Sequence, residues 1–104
     1  MKIYSIHYSL EALNDLDSIY CYLAFEQVEP SIAEKVYKSI SSSIDNLFTF
    51  PKRNPLLKFR DNQRFYNIKN YLVIYQIDDD DDVVTIVRIL GARQDIQSKL
   101  CKKL

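Results

Sequence analysis

The stretch from Tyr71 to Asp95, YLVIYQIDDDDDVVTIVRILGARQD, decides the fold. Two apolar runs, 71–77 and 83–90, flank five consecutive aspartates. Both runs are short and rich in β-branched and aromatic residues, so they read as strands. Aspartate suits turns because its carboxylate bonds nearby backbone N–H groups. The stretch is therefore a hairpin turning at 78–82. In the first run Tyr71, Val73, Tyr75 and Ile77 point one way; Leu72, Ile74 and Gln76 point the other. Both sets are largely apolar, which makes this a central strand. Just upstream, 64–68 reads as a further strand, joined to it by a tight Lys69-Asn70 turn.

The aspartate run invites a metal, but calcium and magnesium need ligands that converge, usually around a glycine. Contiguous acids without glycine splay apart. A solvated hairpin tip that discourages aggregation is the expectation, with no metal and no cofactor.

The N-terminal half has the other period. Residues 2–8, KIYSIHY, alternate like a strand, with Tyr4, Ile6 and Tyr8 on one side. Ser9 follows as an N-cap, and Glu11 favours the helix dipole. Ala12, Leu16, Ile19 and Leu23, joined by Leu13 and Tyr20, recur at helical spacing over 10–25. A second helix opens near Pro30, where Ser31 and Glu34 make a capping box. Its stripe is Ala33, Val36, Tyr37, Ile40, Ile44, Leu47 and Phe48, and it runs to about Thr49, stopping near Pro51. The short connection makes the pair an antiparallel hairpin. A basic, proline-containing loop spans 51–63, and 95–104 can form a short helix with Ile96, Leu100 and Leu104 on one side. The expected fold is α+β: β-α-α-β-β-β, with the helical hairpin on one face of a largely antiparallel sheet. Function is then sought on the opposite, free face, which is expected to be cationic.

At 104 residues the chain is one domain, 1–104. Its 47% hydrophobic content is that of a globular protein, and a single glycine excludes long flexible linkers. Two cysteines and one histidine argue against a zinc site or a disulfide framework. No apolar run is long enough to span a bilayer, so a cytoplasmic protein is expected, without membrane partners. Zero net charge conceals segregation. Six acids and no base occur from Glu11 to Glu34, whereas Lys52, Arg53, Lys58, Arg60, Arg64 and Lys69 face Asp61 alone. A basic side can meet nucleic acid or an acidic protein, or be ordinary surface.

Several segments are familiar in combination. They are IHYSLEALNDLDSIYCYL at the start, Pro30 and Ala33 opening the second helix, and Leu47 ahead of Phe50-Pro51. The central strand YLVIYQID and the tail VVTIVRILGARQD complete the set. In this order they resemble the RelE/ParE superfamily of toxins from bacterial type II toxin–antitoxin systems. The resemblance implies this same fold and a cognate antitoxin that wraps the toxin. Members divide by target: RelE-like toxins cut messenger RNA in the ribosomal A site, and ParE-like toxins inhibit DNA gyrase by binding. RNA cleavage through the 2′-hydroxyl needs proton-transfer groups and cations for the phosphorane. RelE-like chains often carry an arginine after the first tyrosine of the central strand; here it is Leu72. The C-terminal tyrosine or histidine is also missing after Arg93.

These departures favour a ParE-like toxin that inhibits growth, with gyrase as expected target and a role in plasmid stabilization. The alternatives are a ribosome-dependent endoribonuclease using Arg64, Lys69 and Arg93, or a degenerate toxin that keeps only antitoxin binding. The expected target or antitoxin contacts are Lys58, Arg60, Arg64, Arg88 and Arg93. Each of these can instead be a structural or solvated side chain. His7 is expected on the first strand, away from the tail. Tyr66 or Tyr71 could stack RNA bases, but most tyrosines read as core.

Overall fold

The computed structural model describes residues 2–23, 30–58, 62–68 and 71–91. Strand β1 (Ser5–Tyr8) leads into helix α1 (Leu10–Cys21), then helix α2 (Pro30–Asp45). Strands β2 (Gln63–Ile68), β3 (Tyr71–Asp78) and β4 (Val83–Gly91) follow. The sheet order is β1-β4-β3-β2. β2, β3 and β4 are antiparallel neighbours, while β1 runs parallel to the first half of β4. This is the expected α+β topology, in a mixed sheet.

Ser9 both ends β1 and starts α1. Its Oγ accepts the Ala12 N–H at 3.0 Å and donates to the Val87 carbonyl at 2.7 Å. One hydroxyl thus satisfies an orphan helix donor and pins the helix start to β4. The β3–β4 register shifts between Ile74 and Tyr75, which face Arg88 and Ile86, so Val87 is the extra residue of a bulge.

The helices cover one face. Ala12 and Leu16 of α1, Ile40 and Ile44 of α2, and Leu47 meet Tyr4, Val73, Tyr75, Val84, Ile86 and Ile89 of the strands. Each leucine, isoleucine or valine buried in this way contributes about 1.5–3 kcal/mol. Tyr75 is wholly buried yet satisfied: its hydroxyl donates to the Pro51 carbonyl at 2.5 Å and accepts Asn54 Nδ2 at 3.0 Å. The alternation expected of β3 holds, since Val73 and Tyr75 lie in this core and Leu72 and Ile74 in a second cluster.

Three expectations shift. The α-helix begins at Pro30, which puts Ser31 inside the first turn and not at the cap. Proline suits that first position because its missing N–H would be an orphan anyway. α2 ends at Asp45 and tightens into a 3₁₀ turn, Asn46–Phe48, before Pro51. Tyr20 and Tyr37, read as core, instead make an edge-to-face pair with ring centroids 6.1 Å apart, and Tyr37 is exposed. The Lys69-Asn70 turn, the C-terminal helix over 95–104, Arg60 and Arg93 lie outside the described residues.

Candidate protein-binding surface

The sheet face away from the helices was expected to be basic. Its centre is apolar: Leu72, Ile74 and Leu90 are buried, with Leu57, Phe65 and Val87 packed against them. Beyond this cluster the strands turn polar and neutral, where His7 pairs with Thr85, Thr85 with Gln76 and Gln76 with Gln63. Leu72 therefore takes part in a buried apolar cluster, at the position where RelE-like chains often carry arginine.

The cations explain why. Arg64 pairs in register with Tyr75 and so shares the helix-side face. Its Nη1 donates to the carbonyls of Asn54 at 2.6 Å and Lys52 at 3.2 Å. It ties the loop after α2 to β2. Arg88 turns to α1: Nε donates to Asp15 Oδ2 at 2.7 Å and Nη2 to Oδ1 at 3.1 Å. Asp15 Oδ2 also accepts the Ile89 N–H at 2.9 Å. β1 ends at Tyr8, so past Ile86 this side of β4 has no strand partner among the described residues. The Asp15 carboxylate stands in for one, and Arg88 neutralises it. The pair in turn raises the Arg88 pKa, chiefly through the Asp15 hydrogen bond. Lys58 is exposed on the loop that pairs with β2. Lys69, Arg60 and Arg93 lie outside the described residues, so of the Arg64, Lys69 and Arg93 grouping only Arg64 is described.

The aspartate turn is more than a solvated tip. Asp78 Oδ1 accepts the N–H groups of Asp80 and Asp81 at 3.0 and 3.1 Å, the aspartate-turn pattern. Asp79 accepts the Tyr4 hydroxyl at 2.6 Å and pairs with Lys52 at 2.9 Å and Lys2 at 3.4 Å. Lys2 also reaches Asp82 at 3.2 Å. Its bonds to Tyr4, Lys52 and Lys2 hold the Asp79 carboxyl well below the usual range. The turn thus fastens the N-terminal segment and the loop after α2 to the end of the hairpin. Sequence spacing carries no signal for these contacts, which join residues more than 70 apart (Lys2 and Tyr4 to Asp79, Asp15 to Arg88).

The tyrosines suit packing better than proton transfer. Burial pushes the phenols of Tyr75 and Tyr71 up, and that of Tyr8 up to about 12. A general base works best with a pKa near the operating pH. His7 is exposed on β1, on the polar half of the far face.

Beside the aspartate corner lies an exposed apolar group. Phe50 is 75% exposed, and Ile3 and Phe48 are also open to solvent. The Tyr4 N–H donates to the Phe48 carbonyl at 2.8 Å, which brings Ile3 next to the 48–50 segment. In the sequence, Phe50-Pro51 stands out only through the family resemblance.

The architecture is shared by solved toxin structures. A chain of the chromosomal ParDE toxin–antitoxin system of Pseudomonas aeruginosa superposes with a TM-score of 0.74 at 18% identity, over 89% of this chain and all of that one. A free E. coli RelE double mutant gives 0.66 at 14% identity, over 93% of this chain and 92% of that one. The archaeal RelE–RelB complex of Pyrococcus horikoshii gives 0.59 at 18% identity, over 90% and 99%. At these identities the likeness is one of fold. No curated protein matches by sequence. The family profile described as the ParE toxin of type II toxin-antitoxin system, parDE, matches residues 6–96. With nearly its whole length inside that match, this chain belongs to the ParE toxin family, within the RelE/ParE superfamily.

Proposed function

We propose that this toxin arrests growth by binding a protein target, with DNA gyrase the expected one, and that a cognate antitoxin neutralises it. One observation carries the reading. The face where RelE-like toxins concentrate cations is built here around Leu72, Ile74, Leu90 and Phe65. A phosphorane in mid-cleavage needs cations and proton donors close by; an apolar surface with a polar rim suits a protein. The antitoxin lies across this face, its apolar residues on the partly buried Leu57, Phe65 and Val87 that pack against the cluster and its acids on Lys58. The sequence offers Arg60 and Arg93 for the same electrostatic match, which speeds association and selects the partner. Arg64 and Arg88 remain with the fold. On this reading the protein acts in the cytoplasm and can stabilise a plasmid that encodes the pair.

The test adds purified toxin to a gyrase supercoiling reaction and, separately, to a translation extract read by primer extension. Loss of supercoiling with intact transcripts is the expected result. Cuts at the ribosomal A site with gyrase unaffected replace this reading with the nuclease. Induced expression that leaves bacterial growth unchanged marks a chain that keeps only antitoxin binding.

A further inference from the structure

β1 is an outer strand of the sheet, and its outer side is bare. Ser5 and Ser9 send their N–H groups inward, to the carbonyls of Asp82 and Ile86. Backbone direction alternates along a strand, so His7 also bonds inward to β4, and Tyr4, Ile6 and Tyr8 turn their backbone groups outward. The Tyr4 N–H is taken by the Phe48 carbonyl at 2.8 Å. The N–H and C=O groups of Ile6 and Tyr8 have no partner among the described residues. Proline, lysine or a bulge commonly guards such an edge against pairing with another chain, and β1 carries none of them.

A bare edge takes an extended backbone. Two features say whose. The open lane is short. At one end Phe48 fills the place opposite Tyr4; at the other the chain leaves the sheet for α1 at Leu10. A strand the length of β1 fits between them, and a longer one meets Phe48. The open groups are also self-complementary. A second copy, related by a two-fold axis at His7, sets Ile6 opposite its Tyr8 and Tyr8 opposite its Ile6. Each of these pairs exchanges both N–H···O=C bonds, so every open group of Ile6 and Tyr8 on both chains is satisfied.

The same register places Leu10 of the copy opposite Tyr4, beside Ile3 and Phe48. All three are exposed large apolar residues. Charge does not choose this partner. Residues 3–10 contain no acid, lysine or arginine. Beyond them, Glu11 of the copy falls opposite Ile3, toward the aspartate turn, where Lys2 and Lys52 offset only part of the five acids. Asp45 lies near the Tyr8 phenol, where the copy presents Ile6. The bridged acids and lysines of the turn are exposed, so salt screens them, and pairing strengthens as salt rises.

We propose that the outer edge of β1 is a self-association surface. Two copies pair antiparallel through Ile6 and Tyr8 about a two-fold axis at His7 and join their four-stranded sheets into one. The contact is small, so the dimer is weak and depends on concentration. The inference does not depend on which target the toxin binds.

His7 is exposed and faces its own equivalent across the axis, in a non-hydrogen-bonded pair, the kind that brings side chains closest. His7→Lys and His7→Asp each set like charges opposite one another. Both changes lie at an exposed position, so both variants keep the wild-type melting temperature. Sedimentation velocity over a concentration series reads the outcome. Wild type passes from monomer to dimer across the micromolar range, at lower concentration when salt is raised. Each variant alone dimerises at least about tenfold more weakly. An equimolar mixture of the two restores the dimer, because unlike charges then meet; a loss of folding would not be rescued by mixing. Wild type that stays monomeric overturns the proposal and leaves the edge to an extended segment of another protein. So does a His7→Lys chain that pairs as well as wild type, and so does a mixture that stays monomeric.

Discussion

Asp15 and Asp79 both join distant parts of the chain, and they do so in opposite surroundings. Asp15 is only 16% exposed and makes a two-point contact with one arginine, itself 23% exposed. Asp79 is 45% exposed and shares two lysines and a tyrosine hydroxyl. The first serves the second half of β4, which has no partner on that side among the described strands, and belongs to the fold. The second gathers exposed side chains at an open corner, where water and salt compete. The difference bears on function because these acids decide which cations remain for a partner. Arg88, Lys2 and Lys52 are engaged by carboxylates, whereas Arg53 and Lys58 have no carboxylate partner among the described residues.

Removing Asp15 is the sharpest way to break this contrast. Asp15→Ala leaves the Arg88 charge and the Ile89 N–H unpartnered in a half-buried site. A loss of about 2–3 kcal/mol in unfolding free energy is expected, measured by urea denaturation. Asp15→Asn keeps an acceptor for Ile89 and loses roughly half of that. A double-mutant cycle of Asp15→Ala with Arg88→Ala should show strong coupling, because the two groups share one contact. Additive losses would mean that the pair is not the unit described.

Asp79 should produce the smallest effect and the clearest dependence on conditions. Its folded pKa lies below the ordinary carboxylate value. Its contribution is therefore fully present above that value and fades as pH falls through the folded pKa. Wild type should lose thermal stability below about pH 4 more steeply than Asp79→Asn. High salt should bring the two together. Indistinguishable acid profiles at low salt would remove the corner network from the account.

The strands and the start of α1 were legible because they are local. Alternation in 71–77, the Ser9 cap and the apolar stripe from Ala33 to Leu47 each need only a few neighbouring residues. The allocation of charge was not legible. From sequence, Arg64 and Arg88 can each be a partner contact or a structural or solvated side chain, and only the fold reveals that carbonyls and Asp15 engage them. The aspartates likewise read as a solvated tip because their partners, Lys2, Tyr4 and Lys52, are remote in sequence. Phe50 escaped for another reason. Nothing in a Phe-Pro pair signals left-handed backbone, which is imposed here by contacts on either side.

Direct titration of purified gyrase with this toxin, followed by calorimetry, tests the central claim most closely. Saturable association at micromolar or lower concentration is expected, with the negative heat-capacity change that marks burial of apolar surface. No heat of binding at tens of micromolar, together with messenger RNA cut in a translation extract by the same preparation, would contradict it.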